Sequence, residues 1–278
     1  MRSHIMSGAV IACAAGATAL LPTVGKGQIA YDGATDPTYG SGWSAGQDGG
    51  TGFGAWSFDG TGGGSGQEMS SAGAIGPAWT LYNTSSSSGI SDVGRSIDEG
   101  GGLQVGQTFE TVLQNPSVSA GYYTYRGWDI MFADSATNAP GGDNTAAIRA
   151  QVFNYYNSAQ NWAINDSTYT AHSKPTSMTG PTTAADGVRI DLTLTSATTY
   201  QLTMTPLNGA PAYTLDSTYS GPINYINYRL YNTASSGPGD VTDNFGISYM
   251  EIEVVPEPAS MALLGMGLGG LLFARRKK

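Results

Sequence analysis

The chain has 278 residues, of which 40 are glycine, 10% are aromatic and only 12% are charged, the last about half of the usual share. This length and this aromatic content fit one large β-rich domain rather than a disordered chain. Between residues 28 and 255, six basic residues stand against 20 of the 21 acidic ones, and the net charge of −14 disfavours nucleic acid as a partner.

A secretory signal is the first predicted element. Arg2 precedes the uncharged run 5–21, and Gly25 and Gly27 occupy the −3 and −1 positions of a cleavage site. A basic head, an apolar middle and small residues at the cut are the plan of a signal peptide. We therefore expect residues 1–27 to form a signal helix that is removed during export by the secretion machinery.

The body of the chain has the period of β-strands. Apolar and polar residues alternate through 188–205 on both sides of a short polar turn, which predicts a β-hairpin with one buried face. Shorter alternations at 148–152, 226–230 and 250–254 predict three further strands. Many short strands between glycine and proline turns, with no helical period, predict an all-β, antiparallel two-sheet sandwich of the jelly-roll type.

Short motifs in the body resemble a known group of exported proteins. The runs GGTGFGAW at 49–56, AWTLY at 78–82, LQVGQTF at 103–109 and DNFGI at 243–247 carry this resemblance. They are similar to motifs that recur in exported proteins with a concanavalin-like (lectin/glucanase-type) jelly roll. The resemblance implies the fold and leaves the activity open.

The last segment combines a proline-rich motif, an apolar run and a basic tail. Pro256, Glu257 and Pro258 precede the uncharged run 259–274. Sixteen helical residues span about 24 Å, slightly short of a hydrocarbon core of about 30 Å, and we expect a C-terminal transmembrane helix here. The basic residues, which favour a cytoplasmic end, are Arg275, Arg276, Lys277 and Lys278.

This order of motif, apolar helix and basic tail resembles the PEP-CTERM sorting signal. The tripeptide of that family matches Pro256, Glu257 and Pro258. The resemblance implies that an exosortase, a membrane-embedded cysteine transpeptidase-like enzyme, recognises the motif and removes the tail. The alternative is a plain membrane anchor that stays attached.

Two acidic residues on the last predicted strand raise the question of catalysis. Glu251 and Glu253 are two apart, so both side chains point to one face of the strand. Glycosidases of the lectin/glucanase fold use acids alternating on a strand, but their pattern has a third acid, and here Glu257 lies six residues beyond Glu251. We expect a solvated face and assign no catalytic residue.

Metal and nucleophile chemistry has little support in the sequence. Asp240, Asp243 and Asn244, in a Gly/Pro loop, are hard oxygen ligands that suit Ca²⁺, although such residues also cap turns. Cys13, the one cysteine, falls in the predicted signal, and His172 is the one histidine of 28–255. No cofactor other than calcium is therefore considered.

Aromatic clusters offer flat rings on which sugars stack. Tyr123 and Tyr156 each belong to a consecutive pair of tyrosines, so that one ring of each pair points outward from a strand. With Trp128 and Trp162 they are the candidate glycan contacts. The alternative is cross-strand and core packing, which is the usual role of aromatic residues in sheets.

The sequence thus predicts three segments: a signal at 1–27, a β-sandwich domain at 28–255 and a sorting anchor at 256–278. We expect an exported protein that is transiently anchored in the inner membrane and then reaches the cell surface or extracellular matrix. An exosortase and polysaccharide are its expected partners. The alternative function is a glycan-active hydrolase on the same fold.

Overall fold

The computed structural model of the protein describes residues 27–61, 65–73, 76–83, 89–114, 125–136, 138–139, 142–143, 145–155, 161–166, 174–179, 187–233 and 243–254. The described residues form strands and turns, and their helical pieces are three 3₁₀ turns of three residues each. The predicted all-β class is confirmed. The strands, in chain order, are β1 (Gly27–Gly33), β2 (Ser57–Thr61), β3 (Ser65–Gly73), β4 (Gly76–Asn83), β5 (Gly89–Ser96), β6 (Gln107–Gln114), β7 (Tyr125–Ala133), β8 (Asn138–Ala139), β9 (Gly142–Asp143), β10 (Ile148–Tyr155), β11 (Asn161–Asp166), β12 (Lys174–Thr179), β13 (Val188–Leu194), β14 (Thr199–Pro206), β15 (Tyr213–Thr218), β16 (Tyr225–Thr233) and β17 (Asp243–Val254).

The strands form two large antiparallel sheets. The eight-stranded sheet has the order β15-β14-β13-β6-β17-β4-β3, and β1 pairs with β17 as well. The seven-stranded sheet has the order β12-β11-β10-β7-β16-β5-β2, and β8 and β9 form a separate ribbon. Strand β6 lies between β13 and β17, and β7 lies between β10 and β16, so both sheets depend on long-range pairing.

The predicted hairpin is present as β13 and β14. Pairing runs from Val188 opposite Pro206 to Leu194 opposite Tyr200. Every second residue of β13 is buried and the residues between them are partly exposed, as the period-two pattern predicts. The other three strands expected from the sequence are β10, β16 and the end of β17.

An apolar core fills the space between the two large sheets. Phe109 of β6 meets Phe132 of β7 edge to face, with 5.4 Å between the ring centroids. The Tyr228 hydroxyl of β16 donates to Thr111 Oγ1 of β6 over 3.2 Å. Because β6 belongs to one sheet and β7 and β16 to the other, these contacts join the two layers and confirm the two-sheet sandwich.

A buried arginine holds the glycine-rich stretch between β1 and β2. The fully buried Arg95 of β5 forms an ion pair with the equally buried Asp32 of β1, and its Nε donates to the Gly54 carbonyl over 2.7 Å. The Tyr39 hydroxyl donates to the same Asp32 carboxylate and accepts from the Trp56 indole over 3.1 Å. Burial raises the pKa of Asp32, against the lowering effects of Tyr39 and Arg95, and burial also raises the pKa of Tyr39 to about 12. We call Arg95, Asp32 and Tyr39 the arginine clasp.

The GGTGFGAW run packs directly on β1. The backbone N–H groups of Tyr31 and Thr51 each donate to the other residue's carbonyl, over 2.9 and 2.8 Å. Gly52 has a φ of +79°, and a Cβ there would lie 2.5 Å from the Cβ of Ala30. Both the backbone conformation and the lack of space require glycine at this position. The run therefore joins the long loop to the first strand.

The two ends of the described domain lie side by side. Gly27 at the start of β1 pairs with Val254 at the end of β17. The predicted signal helix and the predicted membrane helix at 259–274 lie outside the described residues, apart from Gly27 itself. Within the described ranges, no helix has the length and apolar character needed to cross a membrane.

Candidate functional site

Most residues that the sequence singles out for binding or sorting lie outside the described part of the chain, so their roles stay predictions. They are Tyr123, Tyr156, Asp240, Pro256, Glu257, Pro258, Arg275, Arg276, Lys277 and Lys278, together with the side chains of Trp162, Asp243 and Asn244.

Trp128 corrects one part of the glycan hypothesis. Its side chain is 0% exposed and belongs to the core between the sheets. On β7 it alternates with Asp129, which points to the opposite face. A fully buried ring has no free face for a sugar, so the prediction that Trp128 contacts a glycan is wrong. The usual role of strand aromatics, core packing, applies here.

The predicted calcium ligands are placed differently from the expectation as well. Asp243 and Asn244 open β17 and pair with Asn83 and Tyr82 of β4, so they belong to a strand rather than to a loop. Across the described ranges, no three His, Cys, Asp or Glu side chains come together in a way that could hold a metal ion.

Polar residues of four strands form a row on the outer face of the seven-stranded sheet. In register across β2, β5, β16 and β7 lie Asp59, Asp92, Arg229 and Asp129. Their neighbours along the strands, such as Val93, belong to the core, so the row points away from it. Adjacent strands are about 4.8 Å apart, so the row extends for about 14 Å. We call these four residues the polar row.

The middle of the polar row is a hydrogen-bonded network. Arg229 donates to Asp92 Oδ2 from both Nε and Nη2, over 2.8 and 2.6 Å. The Asn227 amide donates to Asp92 Oδ1 over 2.6 Å, and the Gln151 amide donates to Asp129 Oδ2 over 3.1 Å. Two carboxylates, one on each side of Arg229, are thus held in fixed orientations by a guanidinium and two amides.

These polar side chains are buried although they face away from the core. Asp92, Asp129, Gln151, Asn227 and Arg229 all have exposures of 7% or less. Charged residues are rarely buried unless they are paired, and a buried ion pair contributes little net stability over an apolar pair of the same volume. With exposures this low, these five side chains are covered from solvent, and Asp59 is the member of the polar row that is partly exposed.

Sequence patterns could not have found the polar row. Asp92 and Arg229 are 137 positions apart, and each strand contributes one charged residue to it. The available local signal is a charged residue flanked by core residues, as in Ile130 beside Asp129. This signal does not say which strands become neighbours.

The acidic pair of the last strand lies on the other sheet. Glu251 is directly opposite Glu110 of β6, and Glu110 is directly opposite Asp191 of β13. Burial raises the pKa of Glu251, and the charge of Glu253 adds to the effect. The Gln28 amide of β1 donates to Glu251 over 2.9 Å.

Comparisons with known proteins give low overall similarity to solved structures. The exoplasmic/lumenal domain of VIP36, in a form bound to Ca²⁺ and Man2, has 9% identity and a TM-score of 0.47, covering 73% of this chain and 84% of that one. Lectin II from Ulex europaeus has 8% identity and a TM-score of 0.43, covering 76% and 96%. A GlcNAcα1-4Gal-releasing endo-β-galactosidase from Clostridium perfringens has 10% identity and a TM-score of 0.45, covering 84% and 64%. With TM-scores below 0.5, we transfer no ligand or activity from them.

A sequence motif gives the more direct finding. No curated protein matches the chain. Residues 254–278 match the family model described as the PEP-CTERM protein-sorting motif. The match begins at Val254, the last residue of β17. The chain therefore carries a PEP-CTERM sorting motif immediately after its β-sandwich.

Proposed function

We propose that this protein is an exported surface or extracellular-matrix protein that an exosortase processes at its PEP-CTERM motif, and that its β-sandwich binds polysaccharide without catalysis. The observation that carries the proposal is the position of the motif, which starts where β17 ends. Cleavage near Pro256–Pro258 would therefore remove none of the described strands, the last of which ends at Val254.

The chemistry of the motif supports processing at the membrane boundary. The two prolines at 256 and 258 prevent a continuous helix or strand through this segment. An extended backbone between a folded domain and an apolar segment is accessible to an enzyme within the membrane. The tail with Arg275–Lys278 stays on the cytoplasmic side.

The exposed end of the polar row supports polysaccharide as the ligand. Asp59 is partly exposed there, and its carboxylate can accept hydrogen bonds from the hydroxyl groups of a sugar. Asp59, Asp92 and Asp129 outnumber Arg229, so the polar row carries a net negative charge. We therefore propose a neutral polysaccharide rather than a uronic-acid polymer, which this face would repel.

Absence of catalysis is the other part of the proposal. The support for it is the missing third acid: hydrolases of this fold have a longer acidic pattern than Glu251 and Glu253, and Glu257 lies six residues beyond Glu251. Release of reducing ends from a bound polysaccharide, lost in Glu251→Gln, would overturn this part and favour the hydrolase alternative.

The sorting part is tested by replacing the acid of the motif, with immunoblotting of membrane and secreted fractions as the measurement. In a host with the matching exosortase, Glu257→Ala should leave the full-length precursor in the membrane fraction. Glu251→Gln, a control six residues away, should be processed like the wild type. Equal processing of Glu257→Ala and the wild type would contradict the proposal.

The binding part is tested with an array of neutral polysaccharides, with and without Ca²⁺. We expect the purified protein to bind at least one of them, and Asp59→Asn to weaken that affinity about tenfold, as loss of one charged hydrogen bond implies. Asp216→Asn, on the exposed edge strand β15, is the matched control. No binding by the wild type, or equal binding by Asp59→Asn, would refute the assignment.

A further inference from the structure

Three carboxyl groups lie in direct register on the outer face of the eight-stranded sheet. Glu251 of β17, Glu110 of β6 and Asp191 of β13 occupy three adjacent strands. Like charges directly opposite each other destabilise an antiparallel pair, so three ionised carboxylates in a row would be unfavourable. We call these three residues the acidic row.

Acceptors are crowded at the centre of the acidic row. Asp191 lies directly opposite Glu110, and burial, with Glu110 adding to the effect, raises the pKa of Asp191. An ionised carboxylate only accepts hydrogen bonds, so two neighbouring carboxyl groups can bond to each other only when one of them is protonated. The Tyr249 hydroxyl already donates to Glu110, and the Gln28 amide donates to Glu251 over 2.9 Å.

Among the described residues, Arg189 is a cation that partly offsets the negative charge of the acidic row. Arg189 Nε lies 3.2 Å from Asp191 Oδ2, but its side chain is 43% exposed, so solvent screens its charge. On the neighbouring strand β14, the residue opposite Asp191 is Thr203, and threonine does not titrate. The titratable and charged groups around the row are Arg189 on β13, Tyr249 and Glu253 on β17, and Tyr31 on β1.

We propose that Asp191 takes up a proton within the acidic row, and that this proton makes the exported domain more stable in mildly acidic surroundings than at neutral or alkaline pH. The acidic row joins β17, which precedes the sorting motif, to β6 and β13, and through Gln28 it also joins β1. Loss of the proton introduces repulsion at the centre of this sheet. The domain therefore responds to external pH through its fold.

The direction of the pH effect follows from the two states of Asp191. Burial, with smaller contributions from Glu110, raises the pKa of Asp191 from 3.8 to about 6. Because the folded pKa is above the unfolded one, the folded state binds the proton more tightly, and stability falls as pH rises. The contribution is complete below about pH 4 and is lost as pH passes through about 6.

The test compares Asp191→Asn with the wild type by thermal unfolding of the full purified protein at pH 4.5 and pH 7.5. Asparagine mimics the protonated acid at both pH values. We expect similar Tm values at pH 4.5 and a Tm about 3–6 °C higher for Asp191→Asn at pH 7.5. The control Asp216→Asn, on β15 of the same sheet, should have the Tm of the wild type at both pH values. An Asp191→Asn Tm that is not higher at pH 7.5, or a difference that is the same at both pH values, would overturn the proposal.

A second measurement does not depend on any variant folding. Carbon-13 NMR of the wild-type carboxyl groups should show Asp191 titrating near pH 6. Titration of Asp191 below about pH 4.5, the ordinary range for carboxylates, would contradict the proposal.

Discussion

Replacing Gly52 by alanine tests whether the GGTGFGAW run has the packing role that the structure gives it. The new Cβ would lie 2.5 Å from the Cβ and 2.9 Å from the Cα of Ala30, which is fully buried in β1. The φ of +79° costs an L-residue about 1–2 kcal/mol, and overpacking of a buried site costs about 1–3 kcal/mol more. We therefore expect Gly52→Ala to lower the free energy of unfolding by about 2–5 kcal/mol.

Gly46→Ala is the matched control for this prediction. Gly46 has nearly the same backbone conformation, with a φ of +83°, but a Cβ added there would have no atom within 4 Å. Only the conformational cost of about 1–2 kcal/mol applies there. Urea unfolding followed by tryptophan fluorescence measures both variants. Equal losses, within about 0.5 kcal/mol, would refute the close packing of the run on β1.

Two further predictions concern the arginine clasp. Arg95→Met leaves the fully buried Asp32 without its cation and should lower the free energy of unfolding by about 3–5 kcal/mol. The control Arg189→Met, at a partly exposed ion pair, should lower it by less than about 1 kcal/mol. Similar losses for the two variants in urea unfolding would contradict the clasp. Tyr39→Phe removes the hydroxyl that joins Asp32 to the Trp56 indole and should lower the free energy of unfolding by about 1–3 kcal/mol, and an unchanged Tm would show that this hydroxyl has no structural role.

The sequence predicts the strands whose two faces differ clearly. β13 places Val188, Ile190 and Leu192 in the core and polar residues between them, so its period is visible in the chain. In β5 the pattern is hidden, because Arg95 is on the core side and Asp92 is on the outer side. The partner of Arg95 is Asp32, 63 residues earlier, and no local pattern predicts such a pair.

The candidate site was much less predictable than the fold. The side-chain type of Trp128 suggested a ligand contact, but its ring is fully buried in the core. The polar row depends on the register of four strands that are far apart in sequence, and register is set by the whole fold. The sorting motif was readable because its residues are contiguous, and the match at 254–278 confirms its presence.

Intact-mass analysis of the mature protein tests the central claim most directly. The protein is produced in a host with the matching exosortase and recovered from the cell surface or medium. The proposed function predicts a mass that lacks Ala259–Lys278, with the β-sandwich up to Val254 retained. A mature protein that still carries Ala259–Lys278 would contradict it and would make the tail a permanent anchor.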